Sequence, residues 1–149
     1  MSLQISTITA AIAGLTVTGV TILDTDEIPF EVGLRQSVLF PEPVNFVTDF
    51  TVTRDSMGIA SQARKTVTYT LNYTFAHSQV GTGRGLADLY GDMVSTAYAI
   101  VDAIIALDTV SGAVGIDDPT INQFGVVVDP SGVSYHGCKI AVRVTEFVN

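Results

Sequence analysis

From Lys65 to Phe75 the chain alternates without a break. Val67, Tyr69, Leu71, Tyr73 and Phe75 occupy one set of positions, and Thr66, Thr68, Thr70, Asn72 and Thr74 the other. A period of two held this long excludes a helix and demands a strand with one apolar and one polar face. Such a strand is about 36 Å long, roughly twice the usual length. Phe46 to Arg54 alternates as well, with Phe46, Phe50 and Val52 opposite Asp49, Thr51 and Thr53. The segment between them, Asp55 to Arg64, contains Gly58, Ser61 and Gln62 and reads as a loop. The two strands therefore form an antiparallel hairpin. In a chain of 149 residues a hairpin this long outreaches its own core, so its far end needs something else to pack on.

The rest of the chain supplies cover for that sheet. Leu86 to Leu107 places Leu86, Leu89, Tyr90, Met93, Val94, Ala97, Ile100, Val101, Ile104 and Ile105 at spacings of three and four. That spacing predicts a helix about 33 Å long with one buried stripe. Asp88 suits the positive end of its dipole, and Ser111-Gly112 ends it. Leu3 to Ala13 reads as a shorter amphipathic helix, capped by Ser2 or Ser6 and stopped by Gly14. Val17 to Leu23 is β-branched and reads as a strand, with Gly19 as a bend. Asp24 to Pro43 holds Pro29, Pro41 and Pro43 and has room only for a short strand near Ser37 to Phe40. Asn122 to Val128, a turn at Asp129-Pro130-Ser131-Gly132, and Val133 to Val148 make a second hairpin. In its return strand Cys138, Ile140, Val142 and Val144 share a face.

These elements predict an α+β fold spanning residues 1–149 as one domain. It has a single mostly antiparallel sheet of four to five strands, including the long hairpin, with two helices packed on one face.

Composition then restricts the partners. Apolar residues make up 47% of the chain, so it is not a disordered segment. Charged residues make up 15%, where about 25% is usual, which points to extra surface buried against other subunits. The net charge is −8 and the seven bases form no run, so the basic footprint of a nucleic-acid binder is absent from the sequence. The lone Cys138 allows no intrachain disulfide. No basic residue precedes the first apolar stretch, which makes a poor signal peptide, and Asp102 interrupts the most apolar run, so no membrane span is expected.

The search for chemistry finds little. Gly81-Thr82-Gly83-Arg84-Gly85 lies between a strand and a helix, where backbone donors can hold an anion, but it lacks the P-loop and Rossmann spacings. His136 and Cys138 point the same way from one strand and offer two metal ligands where a structural zinc needs four. Asp24, Asp26 and Glu27, like Asp117 and Asp118, lack the calcium-loop pattern and read as loop surface. No catalytic residue, cofactor or metal is therefore assigned. Two other classes stay open: a small ligand-binding α+β protein or enzyme using the Gly81–Gly85 turn, and a module that adds a strand to a partner's sheet edge.

This order of elements resembles the tail terminator proteins of long-tailed, non-contractile, lambda-type bacteriophages. The matching pieces are Leu3–Ala13, Val17–Leu23, Phe46–Phe75, Leu86–Leu107 and Asn122–Val148, and Tyr135 to Val144 looks like the closing strand of those subunits. The resemblance implies a homohexameric ring that caps the tail tube, stops its growth and forms the head-tail joining surface. Its partners would be further copies of itself, the tail tube protein and a head-neck connector protein, with DNA passing through unbound. Its place would be the head-proximal end of the virion tail, after synthesis in the host cytoplasm. Related tail-completion, neck and tube subunits share this logic.

Two sets of residues follow as expectations. Phe50, Val52, Met57, Ile59, Lys65 and Val67, on or beside the hairpin's distal part, are expected at the contact between subunits. Asp117 and Asp118 are expected to line the DNA passage, where acids keep phosphates off the wall.

Overall fold

The structure is a computed structural model. It describes residues 3–25, 37–54, 65–80, 86–107 and 114–148. In chain order the elements are α1 (Ile5–Ala13), β1 (Thr21–Ile22), β2 (Val38–Pro41), β3 (Val47–Arg54), β4 (Lys65–Gln79), α2 (Leu86–Ile105), β5 (Val114–Ile116), β6 (Thr120–Val128) and β7 (Ser134–Val148).

The fold is α+β, built on one sheet that contains seven strands among the described residues. Its spine is the antiparallel pair β4 and β7, each of 15 residues, paired from Lys65↔Val148 to Gln79↔Tyr135 with one register shift between Ala76 and Ser78. Each flank of the spine is covered by two short strands laid end to end. On the β4 side β3 pairs with Lys65 to Leu71 and β2 with Tyr73 to Ala76. On the β7 side β5 pairs with Val144 to Glu146 and β6 with Ser134 to Ala141. This corrects the expectation of four to five strands. Prolines at the joins, Pro41 and Pro43 on one flank and Pro119 on the other, break what would be continuous edges. The sheet is also mixed, because β1 joins β2 in parallel. Val17 to Leu23 yields only the two-residue β1, and β5 was not foreseen.

The core follows the alternation. Tyr69, Leu71, Tyr73 and Phe75 of β4 and Cys138, Ile140, Val142 and Val144 of β7 are buried in one cluster with Ile8 and Ile12 of α1 and Met93, Ala97, Ile100 and Ile104 of α2. Both helices thus lie on the same face. By alternation, Val38, Phe40, Ala76, Val127 and Tyr135 form a second, smaller cluster on the other face. Gly137 makes that close packing possible, since a Cβ there would sit 1.8 Å from the Phe75 carbonyl oxygen.

Two polar devices lock the ends. The turn at Asp129 is closed by its side chain: Oδ1 accepts from the Ser131 N–H, the Ser131 hydroxyl and the Val133 N–H, at 3.0, 2.6 and 2.9 Å. At the opposite end the buried Glu146 accepts from the Gln4 N–H at 2.9 Å and from the Tyr69 hydroxyl. Gln4, rather than Ser2 or Ser6, is the N-cap of α1. Its own side chain makes no capping bond, so β7 supplies the acceptor from across the fold.

Candidate functional site

β3 is the anomaly of this sheet. Like β1, β5 and β6 it has one hydrogen-bonded neighbour among the described residues, but seven of its eight residues are exposed. A bulge between Thr48 and Thr51, with Asp49 at φ 53°, re-phases the strand. After it Val52 lies opposite Val67 and Arg54 opposite Lys65. Phe50 stacks on Tyr69 with ring centroids 5.7 Å apart, so one face of its ring is packed and the other faces outward. Phe50 is 49% exposed and Val52 is 56% exposed. With Val47, opposite Leu71, they form an apolar edge, and Lys65 and Arg54 mark its basic end.

Four of the six expected contact residues are therefore placed. Phe50, Val52 and Lys65 are brought together at the surface, whereas Val67, beside Val52, belongs to the core. The reason is lateral: Val67 sits on β4, roofed and flanked, while Val52 sits on the edge strand. Met57 and Ile59 lie outside the described residues, as do the Gly81–Gly85 turn and the acids Asp26 and Glu27.

α2 departs from the predicted stripe. Met93, Ala97, Ile100 and Ile104 are buried, but Tyr90 and Ile105 are exposed, and so is Tyr98. Tyr98, Asp102 and Ile105 fall at spacings of four and three, on the side of the helix turned away from the sheet. Beside them Ser95, Ala99, Asp102 and Ala106 face Thr16 and Val17 across a groove of about 450 Å³. An apolar residue opposite the buried stripe was the available sequence signal for Tyr98.

Asp117 and Asp118 are exposed, and they are not isolated. With Asp49, Thr70 and Arg143 they line a shallow cavity of about 280 Å³ on the sheet face opposite α1 and α2. The Asp117 N–H donates to the Arg143 carbonyl at 2.9 Å, and the Arg143 guanidinium stands 4.0 Å from its carboxyl. The bulge that turns Asp49 toward this place brings an acid from β3 beside two from the β5–β6 join.

Of the remaining reactive groups, the Tyr73 hydroxyl and His136 Nδ1 are buried without a hydrogen-bond partner among the described residues. Cys138 is fully buried, and burial pushes its thiol up to about 12, so it is protonated at neutral pH. Burial also raises Tyr69, helped by its bond to Glu146, and raises Tyr73, helped by the charge of Asp24. His77 contacts Asp92 of α2 at 2.7 Å and the Ser78 hydroxyl at 3.2 Å. The three residue types are those of an acyl-transfer triad, but Asp92 is exposed, and none of the cavities described above reaches Ser78. The pair is a strut between β4 and α2. Among the described residues no cluster of three or more His, Cys, Asp or Glu side chains is placed to hold a metal ion, and no helix is long and apolar enough to cross a membrane.

No protein-family model matches this sequence, and no curated protein matches it.

Proposed function

We propose that this chain is a non-enzymatic structural subunit of a bacteriophage tail. Copies of it form a ring, a tail terminator that caps the tail tube, stops its growth and offers the surface that joins the head. The observation that carries this reading is β3, whose outer edge pairs with no described strand. An edge strand with Phe50 and Val52 turned to solvent is a liability in a free monomer and an asset in an assembly. The low charge content and the resemblance in element order support the same reading.

On this reading the inner wall of the ring is the sheet face opposite α1 and α2. It presents threonines from β3 and β4, and the acids Asp49, Asp117 and Asp118 gather on it. Such a surface is hydrophilic and carries excess negative charge, which repels passing phosphates over about 10 Å at 0.1 M salt. Changing Asp117 and Asp118 to Lys is expected to leave rings intact and slow DNA ejection; normal ejection removes these two residues from the wall.

Electron microscopy of the purified protein tests the function directly. Closed rings with a central hole are expected. Open stacked tubes would favour a tube subunit instead, because the same head-to-tail contact makes a filament when its rotation does not close. A monodisperse monomer at high concentration would end the tail reading.

A further inference from the structure

Two surfaces of this molecule are half-apolar, half-charged and opposite in sign. The first is the hairpin patch, where Phe50, Val52 and Arg54 alternate onto one side of β3 and Lys65 lies opposite Arg54. The second is the outer face of α2, where Tyr98 is 61% exposed and Ile105 46% exposed, with Asp102 between them. α2 contains three aspartates and no basic residue. Arg54, Lys65 and Asp102 have no ion-pair partner among the described residues.

We infer that the hairpin patch of one copy docks on the outer face of α2 of the next copy. Phe50 and Val52 then cover Tyr98 and Ile105, and Arg54 and Lys65 meet Asp102. The inference rests on the ring reading and says which surfaces build it.

Charge selects this pairing over the two symmetric ones. Hairpin against hairpin sets Arg54 and Lys65 against their own copies. Helix against helix sets Asp102 near its own copy. Like charges at a contact cost affinity, and unlike charges orient the encounter. The favoured contact joins two different surfaces, so each subunit keeps one free surface of each kind. That is the geometry that propagates into a ring, whereas either symmetric contact stops at a dimer.

Sedimentation velocity on four full-length chains tests this: the parent, Asp102→Arg, Arg54→Glu/Lys65→Glu, and the combined triple variant. All the changed side chains are exposed, and circular dichroism melting checks that each chain is folded. Either partial variant should raise the concentration needed for assembly by about tenfold or more, and the triple variant should regain much of the loss. A second measurement does not depend on charge reversal. A Cys138→Ser chain carrying Val52→Cys and Tyr98→Cys should give a ladder longer than dimer with a short bismaleimide. Assembly unchanged in both partial variants, a triple variant no better than they are, or cross-linking that stops at dimer overturns the docking while leaving the ring reading in place. A parent chain that stays monomeric at every concentration overturns both.

Discussion

Strands β3 and β4 are hydrogen-bonded neighbours written in the same alternation of Thr with Val, Phe and Tyr. β4 has a strand on each side and helices above, and its apolar face from Tyr69 to Phe75 is sealed. β3 has β4 on one side and nothing described on the other, and its apolar residues stay half in water. The contrast teaches that alternation specifies which face a residue takes, while lateral position in the sheet decides whether that face is covered. In β4 apolar side chains stabilise the subunit. In β3 they stay exposed, where the proposed contact with another copy would use them.

If that division is right, the same kind of truncation should act on folding in one strand and on assembly in the other. Leu71→Ala on β4 should cost about 3 kcal/mol of folding stability, since it empties a fully buried site between two strands and the helices. Urea unfolding measures it, and a loss under about 1 kcal/mol would mean that the β4 core is looser than described.

Glu146→Ala should cost about 2 kcal/mol, because it strands the Tyr69 hydroxyl and the Gln4 N–H in the interior. The same unfolding experiment checks it. Hydrogen exchange should show α1 loosening first, and equal loosening of β6 would contradict the role given to this side chain.

Alkali probes the sealed face without mutation. Cys138, Tyr69 and Tyr73 are all raised in the folded chain, so the unfolded chain loses their protons first. The stability they contribute is complete below about pH 9, where the unfolded thiol begins to ionise, and is lost progressively as the pH rises toward 12. Unfolding midpoints at pH 8 and 10.5 should differ in that direction. Tyrosinate absorbance from Tyr69 and Tyr73 should appear only on unfolding, and full ionisation of these two in the native protein at pH 10.5 would show that the face is open.

Phe50→Ser with Val52→Thr on β3 should change folding least, by about 1 kcal/mol, since both side chains are already half in water. Thermal melting of the isolated subunit checks it, and a loss as large as that of Leu71→Ala would erase the contrast between the strands.

Much of the fold was legible because it rests on long periodic runs. Lys65 to Phe75 and Cys138 to Val144 gave the buried face residue by residue, and Met93, Ala97, Ile100 and Ile104 gave the side of α2 that meets it. What escaped were features set by tertiary neighbours. Pairing in halves along β4 and β7 turned the expected four or five strands into seven, because interruptions as short as Asp117-Asp118-Pro119 carry no periodicity. The two-residue β1 exists through its parallel partner rather than through its own pattern. The Glu146 anchor for α1 lies 142 residues away from Gln4 in sequence, beyond any local signal. At the candidate site, Phe50 and Val52 were readable as apolar, but Val67 separates from them only once the edge of the sheet is known. The meeting of Asp49 with Asp117 and Asp118 depends on the β3 bulge, which alternation conceals.

On the proposed reading β3 is left unfinished by its own described residues and completed by another copy. The most direct test is sedimentation velocity of the parent chain beside Phe50→Ser/Val52→Thr over a range of concentrations. The parent should sediment as a ring-sized species and the variant as a folded monomer. Identical sedimentation of the two chains, whether both assembled or both monomeric, would contradict it.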